Sequence, residues 1–135
     1  EKAATRFNQR ANESIQEIRQ QLEILSQSGE MVAIWGGTGK AAAFMQYFNV
    51  DAEDFPLVVD SDENKIGTFV PGLGQEIGSP EALKGISLDA VIIPSQWRAK
   101  DIIGEMEMLG ISPKRVLIEH GGSLIDFHHG SHPYR

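Results

Sequence analysis

The segment Met31-Val32-Ala33-Ile34-Trp35-Gly36-Gly37-Thr38-Gly39-Lys40-Ala41-Ala42-Ala43 decides the fold class. A run of buried-strand residues ends in glycines, and an alanine-rich helical segment follows directly. Gly37-x-Gly39-x-x-Ala42 fits the dinucleotide-binding fingerprint G-x-G-x-x-G/A. In that fingerprint the first glycine makes a tight turn and the second lets the backbone approach a pyrophosphate. The small third residue lets the helix pack closely on the strand. The free N–H groups of such a helix start attract anions. The segment therefore predicts a βα unit with a phosphate-facing turn, Gly36 to Lys40.

The composition is that of an ordinary soluble globular chain. Its 135 residues suffice for one domain with a substantial core, and 41% are hydrophobic. A net charge of −7 argues against nucleic-acid binding, which needs clustered Lys and Arg. The absence of cysteine excludes thiolate metal ligands and fits a reducing cytoplasm. With no apolar run near the ~20 residues of a membrane span, we predict a cytoplasmic protein without nucleic-acid or membrane partners.

The first segment, residues 1–30, predicts one long helix that ends near Gly29. Apolar residues recur there at steps of three and four, which places them on one stripe: Phe7, Ala11, Ile15, Ile18, Leu22 and Leu25. Two interpretations stay open. The stripe packs on its own domain, or it connects to a neighbouring domain or chain, a homodimer included.

Apolar runs at 31–35, 56–59, 89–93 and 115–118 predict four strands. Helices are predicted at 39–48, after the Ser79-Pro80 start signal, and at 98–109, where Gly110 ends the helix. Strands that alternate with helices predict an α/β fold: a Rossmann-like three-layer α/β/α domain with a mainly parallel sheet over 31–120. Residues 121–135 form a C-terminal tail with weak signals, and we expect it to be partly disordered.

Several candidate ligand-binding residues follow the predicted strands, where open α/β sheets bind ligands. Asp60 ends the second strand, and either accepts hydrogen bonds from a ribose diol or only caps the turn into Ser61-Asp62. Lys40 either touches a diphosphate or is an exposed lysine. Because Ala41 stands where a phosphate loop has Ser or Thr, NTP hydrolysis is not expected.

The segment Pro94-Ser95-Gln96-Trp97 follows the third strand. Trp97 either stacks on a base or sugar, with Ser95 or Gln96 as hydrogen-bonding neighbours, or caps the core. His120 follows the last strand at the same crevice. The tail histidines His128, His129 and His132 are not expected to bind a metal, and no recognisable catalytic set occurs.

Taken together, residues 32–40, 58–72, 74–81 and 89–97 resemble the C-terminal domain of bacterial S-adenosylmethionine-dependent sugar C-methyltransferases. The resemblance runs from about residue 7 to 118, and its most specific part is 60–72, which contains Lys65 and Pro71-Gly72. It implies a Rossmann-like domain that holds a nucleotide diphosphate-sugar. S-adenosylmethionine is then expected in an upstream methyltransferase domain, with no cofactor and no catalytic residue in this one.

The predicted binding residues are accordingly Gly36, Gly37, Thr38, Gly39, Lys40, Asp60, Lys65, Pro94, Ser95, Gln96, Trp97 and His120. Two other functions stay open at this point. One is an NAD(P)-binding module of an oxidoreductase, and the other is a structural or oligomerisation domain with an empty glycine turn.

Overall fold

The computed structural model describes residues 2–36 and 39–135, and the side chains from residue 12 onward within them. Over these described residues, three α-helices and five strands make up a mixed α/β fold. The helices are α1 (Lys2–Gln27), α2 (Lys40–Tyr47) and α3 (Ala99–Leu109). The strands are β1 (Val32–Trp35), β2 (Val58–Val59), β3 (Ala90–Ile93), β4 (Arg115–His120) and β5 (Ser123–Asp126).

All five strands belong to one sheet, in the order β2-β1-β3-β4-β5. Strands β2, β1, β3 and β4 pair in parallel, whereas β5 pairs antiparallel with β4. The chain moves outward from β1 to β2 and then returns to β3 on the other side of β1. The carboxyl ends of β1 and β3 therefore flank the point where the winding reverses, which is where such sheets bind ligands.

The strands are buried on both faces because their side chains alternate between two apolar clusters. One cluster joins Ile34 and Ile92 to the helices α1 and α2. The other joins Trp35 and Ile93 to α3. Helices thus cover both faces of the sheet, and the continuous apolar runs that predicted the strands follow from this double burial.

The tail is ordered where the sequence analysis expected disorder, so that expectation is wrong. Gly121 and Gly122 have φ angles of 61° and 83° and form a two-residue turn between paired His120 and Ser123. Both positive φ angles suit a hairpin turn whose twist matches the strands. Strand β5 follows, and Leu124 and Phe127 are buried.

Helix α1 covers the outer edge of β5. The Gln21 Nε2 donates to the Leu124 carbonyl at 2.9 Å, and the Leu124 N–H donates to Gln21 Oε1 at 2.8 Å. The Gln21 side chain thereby satisfies the N–H and the carbonyl of Leu124, which are of the kind that an edge strand leaves without a partner strand. Ile18, Leu22 and Leu25 are buried, so this part of α1 packs on its own domain.

The sequence predicted a helix end at Gly110 and a helix start at Ser79, and the structure describes both positions. Gly110 caps α3 in the left-handed conformation, as predicted. Ser79 accepts a hydrogen bond from the Glu81 N–H, but the element that follows is only a four-residue 3-10 helix, Pro80–Leu83. Over the described residues, no helix has both the length and the apolar character that a membrane crossing requires.

Candidate functional site

A cavity of about 530 Å³ opens between α1 and α2 at the carboxyl ends of β3 and β4. Three of the predicted binding residues line it: Lys40 from the first turn of α2, Gln96 from the segment after β3, and His120 from the end of β4. The structure thus brings together residues that lie 80 positions apart in the sequence, because parallel strands end at the same edge of the sheet.

The walls of the cavity have two different characters. Helices α1 and α2 supply the apolar and aromatic wall: Ile15, Ile18, Ala43, Phe44, Tyr47 and Phe48. The remaining lining residues supply polar and backbone groups: Ser14, Lys40, Gln96, Glu119, His120, Gly121 and Gly122. A cavity of this kind suits an amphipathic ligand that has both a ring face and hydrogen-bonding groups.

Lys40 and Glu119 form an ion pair across the polar side of the cavity. The Lys40 Nζ lies 3.5 Å from Glu119 Oε1, and the side chains remain 38% and 25% exposed. The Gln96 Nε2 donates to the Glu119 carbonyl at 3.2 Å. Gln96 Oε1 is buried and has no hydrogen-bond partner among the described residues.

Asp60 does not line this cavity. It is only 5% exposed, and its Oδ1 accepts the Asp62 N–H at 2.9 Å. The adjacent Ser61 Oγ donates to Glu105 Oε2 at 2.7 Å and accepts from the Trp35 indole at 3.0 Å. Asp60 therefore caps the turn after β2, which is one of the two roles open from the sequence.

The other residues of the segment after β3 point elsewhere. Pro94 is buried and Ser95 is half-buried, and neither lines the cavity. Trp97 is 60% exposed, so it does not cap the core. Its exposed ring also lies outside the cavity lining.

The glycine turn is described only in part. Gly36 and Gly39 have φ angles of 113° and 59°, so both hold a conformation that favours glycine. The predicted residues Gly37 and Thr38 lie outside the described residues. Lys65 is half-buried in the turn after β2, where its N–H donates to the Asp62 carbonyl at 2.9 Å.

One of the tail histidines, His132, takes part in hydrogen bonds within the tail. His132 Nε2 lies 2.7 Å from the Phe127 carbonyl, while its Nδ1 accepts the Tyr134 N–H at 3.0 Å. Tyr134 in turn meets the His120 ring edge-on at a centroid distance of 5.7 Å. In the part of the chain that the structure describes, no group of three or more potential ligands is arranged to hold a metal ion.

Comparison with known proteins decides the family. Residues 2–115 match a family described as the C-methyltransferase C-terminal domain. The chain belongs to this family. A comparison with curated proteins finds no significant match.

Within this C-methyltransferase C-terminal domain, Glu119 and His120 lie beyond the matched residues. Sequence reasoning missed Glu119, although it directly precedes the predicted His120 at the end of a strand. It also missed Ser14 and Tyr47, because nothing in the sequence places α1 and α2 against the end of β4. These residues became site candidates only through the packing of α1 against the hairpin of β4 and β5.

Proposed function

We propose that this C-methyltransferase C-terminal domain binds a nucleotide diphosphate-sugar in the cavity between α1 and α2, in the cytoplasm. The methyl transfer and the S-adenosylmethionine site then belong to a separate, upstream domain. The observation that carries the proposal is the cavity itself, which opens at the carboxyl edge of the sheet, where open α/β sheets commonly bind ligands, in a chain of this family.

The size and lining of the cavity support this ligand class. Its volume of about 530 Å³ falls within the 300–1,000 Å³ that is typical of small-molecule sites. Tyr47 and Phe48, which are exposed and half-buried respectively, offer aromatic surface to a base or to the C–H face of a sugar ring. Glu119, Gln96 and Ser14 offer hydrogen-bonding groups to its polar edge.

The distribution of charge favours a position of the diphosphate near Lys40. Among the described lining residues, Lys40 and Glu119 are the fully charged ones, and they are paired. The walls are therefore neutral overall and suit an uncharged ring. The diphosphate then lies towards Lys40 and the glycine turn, where the amino end of α2 adds free N–H groups.

The NAD(P) alternative receives less support. It requires the acid after β2 to accept hydrogen bonds from a ribose diol. Asp60 is nearly buried and already accepts the Asp62 N–H, so it would have to give up a turn contact.

Calorimetric titration of this chain with UDP-glucose and dTDP-glucose tests the proposal. We expect saturable binding in the millimolar range or tighter. Ala43 is exposed and lines the cavity, so Ala43→Phe should fill the site without disturbing the core and weaken binding at least about tenfold, or roughly 1.4 kcal/mol.

Ala82→Phe is the matched control because Ala82 is exposed and lies outside the cavity. It should bind as the unmodified chain does. A folded chain that releases no heat with either sugar nucleotide, or equal losses in both variants, would contradict the proposal.

A further inference from the structure

The ion pair of Lys40 and Glu119 lies where the proposed ligand must bind. The two residues come from different elements, α2 and β4, and both line the cavity. An ion pair with a separation of 3.5 Å, in which both side chains are partly exposed, contributes little to the stability of the fold. The stability of the fold therefore does not explain why these charges face each other at this position.

The position of Glu119 does not depend on Lys40. Its backbone is fixed by pairing with Leu124 of β5, and its carbonyl accepts the Gln96 side chain. The backbone of Glu119 therefore stays at the cavity when Lys40 turns away, and its carboxylate remains within reach of a ligand bound there. A carboxylate at this position repels a diphosphate, and this repulsion lowers the affinity for any anionic ligand that does not compensate for it.

We propose that Glu119 determines which part of the ligand this site recognises. In the empty site it pairs with Lys40. A bound diphosphate draws Lys40 towards itself, and Glu119 then accepts hydrogen bonds from hydroxyl groups of the attached sugar. Such charge-assisted O–H···O⁻ bonds are stronger than neutral ones. The inference rests on the proposed function and goes beyond it, because it assigns selection of the glycosyl unit to one residue.

The surroundings of Glu119 fit a hydroxyl-bearing ring. Gln96 also lines the cavity, its buried Oε1 is an acceptor without a partner among the described residues, and α2 adds Tyr47 and Phe44 to the lining. Hydrogen-bond acceptors and aromatic side chains in one lining match the hydroxyl groups and the C–H face of a sugar. The charges of Lys40 and Glu119 lie close enough to serve adjacent phosphate and sugar groups of one ligand.

The test compares UDP-glucose with UDP, and dTDP-glucose with dTDP, by calorimetry on this chain and on Glu119→Gln. We expect the variant to bind the bare diphosphates as well as before or better, because the repulsion is removed and Lys40 is released. Binding of the two sugar nucleotides should weaken. The preference for the sugar nucleotide over its diphosphate should fall about tenfold, the range expected for a lost hydrogen bond to a charged group.

Glu107→Gln removes the same charge from an exposed residue on α3 and should leave all four affinities unchanged. Glu119→Asp, which keeps the carboxylate, should recover part of the preference. Thermal unfolding of each variant checks that it is folded.

Two failures are distinguishable. If the unmodified chain binds no sugar nucleotide, the proposed function fails. If it binds them and Glu119→Gln changes sugar nucleotides and bare diphosphates by the same factor, the function stands and the role of Glu119 is overturned.

Discussion

Asp89 couples the stability of the fold to acidic pH. Its Oδ2 accepts the Met31 N–H at 2.8 Å, and its Oδ1 lies 3.1 Å from the Lys114 ammonium. The hydrogen bond from Met31 and then the pairing with Lys114 lower the pKa of Asp89 below its ordinary value of 3.8. In the unfolded chain the carboxylate lacks both partners and takes up a proton at a higher pH than in the fold.

The sign of the pH effect follows from this lowered pKa. The contribution of Asp89 to stability is present above pH 3.8 and is lost as the pH falls through the lowered pKa of the folded state. Asp89→Asn should therefore lower the free energy of unfolding at neutral pH and have a smaller effect in strong acid. Urea unfolding of the unmodified chain and of Asp89→Asn, at neutral pH and in strong acid, measures this difference in the free energy of unfolding.

Glu53→Gln, at an exposed acid, serves as the control for loss of one negative charge. It should shift the free energy of unfolding by at most about 0.5 kcal/mol. A loss in Asp89→Asn that is the same at neutral and acidic pH would contradict the assignment.

The sequence predicted which residues follow the strands, but it did not predict where their side chains point. Lys40, Gln96 and His120 meet at the cavity, whereas Trp97 and Asp60 follow strands in the same way and lie outside its lining. Neighbouring side chains at a strand end point to opposite faces of the sheet, so the direction depends on local turn geometry. That geometry is fixed in part by tertiary contacts, such as the hydrogen bond from Ser61 Oγ in the turn after β2 to Glu105 Oε2 on α3.

At the scale of elements, the turn between β4 and β5 determines how closely α1 approaches the cavity. Gly122 has a φ angle of 83°, and a Cβ at this position would collide with the Ser14 side chain. Gly121 has a φ angle of 61°, and a Cβ there would meet nothing within 4 Å. A substitution at Gly121 therefore tests backbone strain alone, whereas a substitution at Gly122 tests backbone strain together with displacement of α1.

Both Gly121→Ala and Gly122→Ala should lose roughly 1–2 kcal/mol of stability from the left-handed backbone. Gly122→Ala should lose more, because Ser14 and with it α1 must move. It should also weaken sugar-nucleotide binding, since Ser14, Ile15 and Ile18 line the cavity. Urea unfolding and calorimetry on both variants measure these effects. Equal losses of stability in the two variants would mean that the contact with Ser14 does not constrain α1.

The elements themselves were predictable to different degrees. Long apolar runs located β1, β3 and β4 to within one or two residues, because strands covered on both faces need continuous apolar sequence. Strand β5 was missed, although Gly121-Gly122 between two strands is a hairpin signal. Its half-buried pattern is weak in the sequence, and its outer edge is covered by Gln21 from a distant helix.

For the whole molecule, the cavity and the core both depend on contacts between the two ends of the chain. Helix α1 contacts β5 and forms one wall of the cavity, while Gly121 and Gly122 form part of another. Leu124 of β5 belongs to the cluster that includes Ile18 and Leu22 of α1. The last residues therefore complete the fold that the matched residues 2–115 begin.

A chain that ends at His120 should consequently fail to fold cooperatively. It loses β5 and the buried side chains of Leu124 and Phe127, and truncation of one buried Leu or Phe alone costs roughly 2–5 kcal/mol. Two such losses approach the 5–15 kcal/mol that is typical of the total stability of a domain. Near-ultraviolet circular dichroism of the buried Trp35 and urea unfolding measure the outcome.

A chain that ends at His129 is the matched control. It keeps β5 and Phe127 and loses the smaller contacts of His132 and Arg135 with the Phe127 carbonyl and of Tyr134 with the His120 ring. It should unfold cooperatively with a loss of about 1–3 kcal/mol, the cost of leaving that acceptor with fewer partners. If the chain that ends at His120 instead unfolds cooperatively and binds sugar nucleotides with unchanged affinity, residues 121–135 are an appendage, and the proposed role of the hairpin in shaping the cavity is wrong.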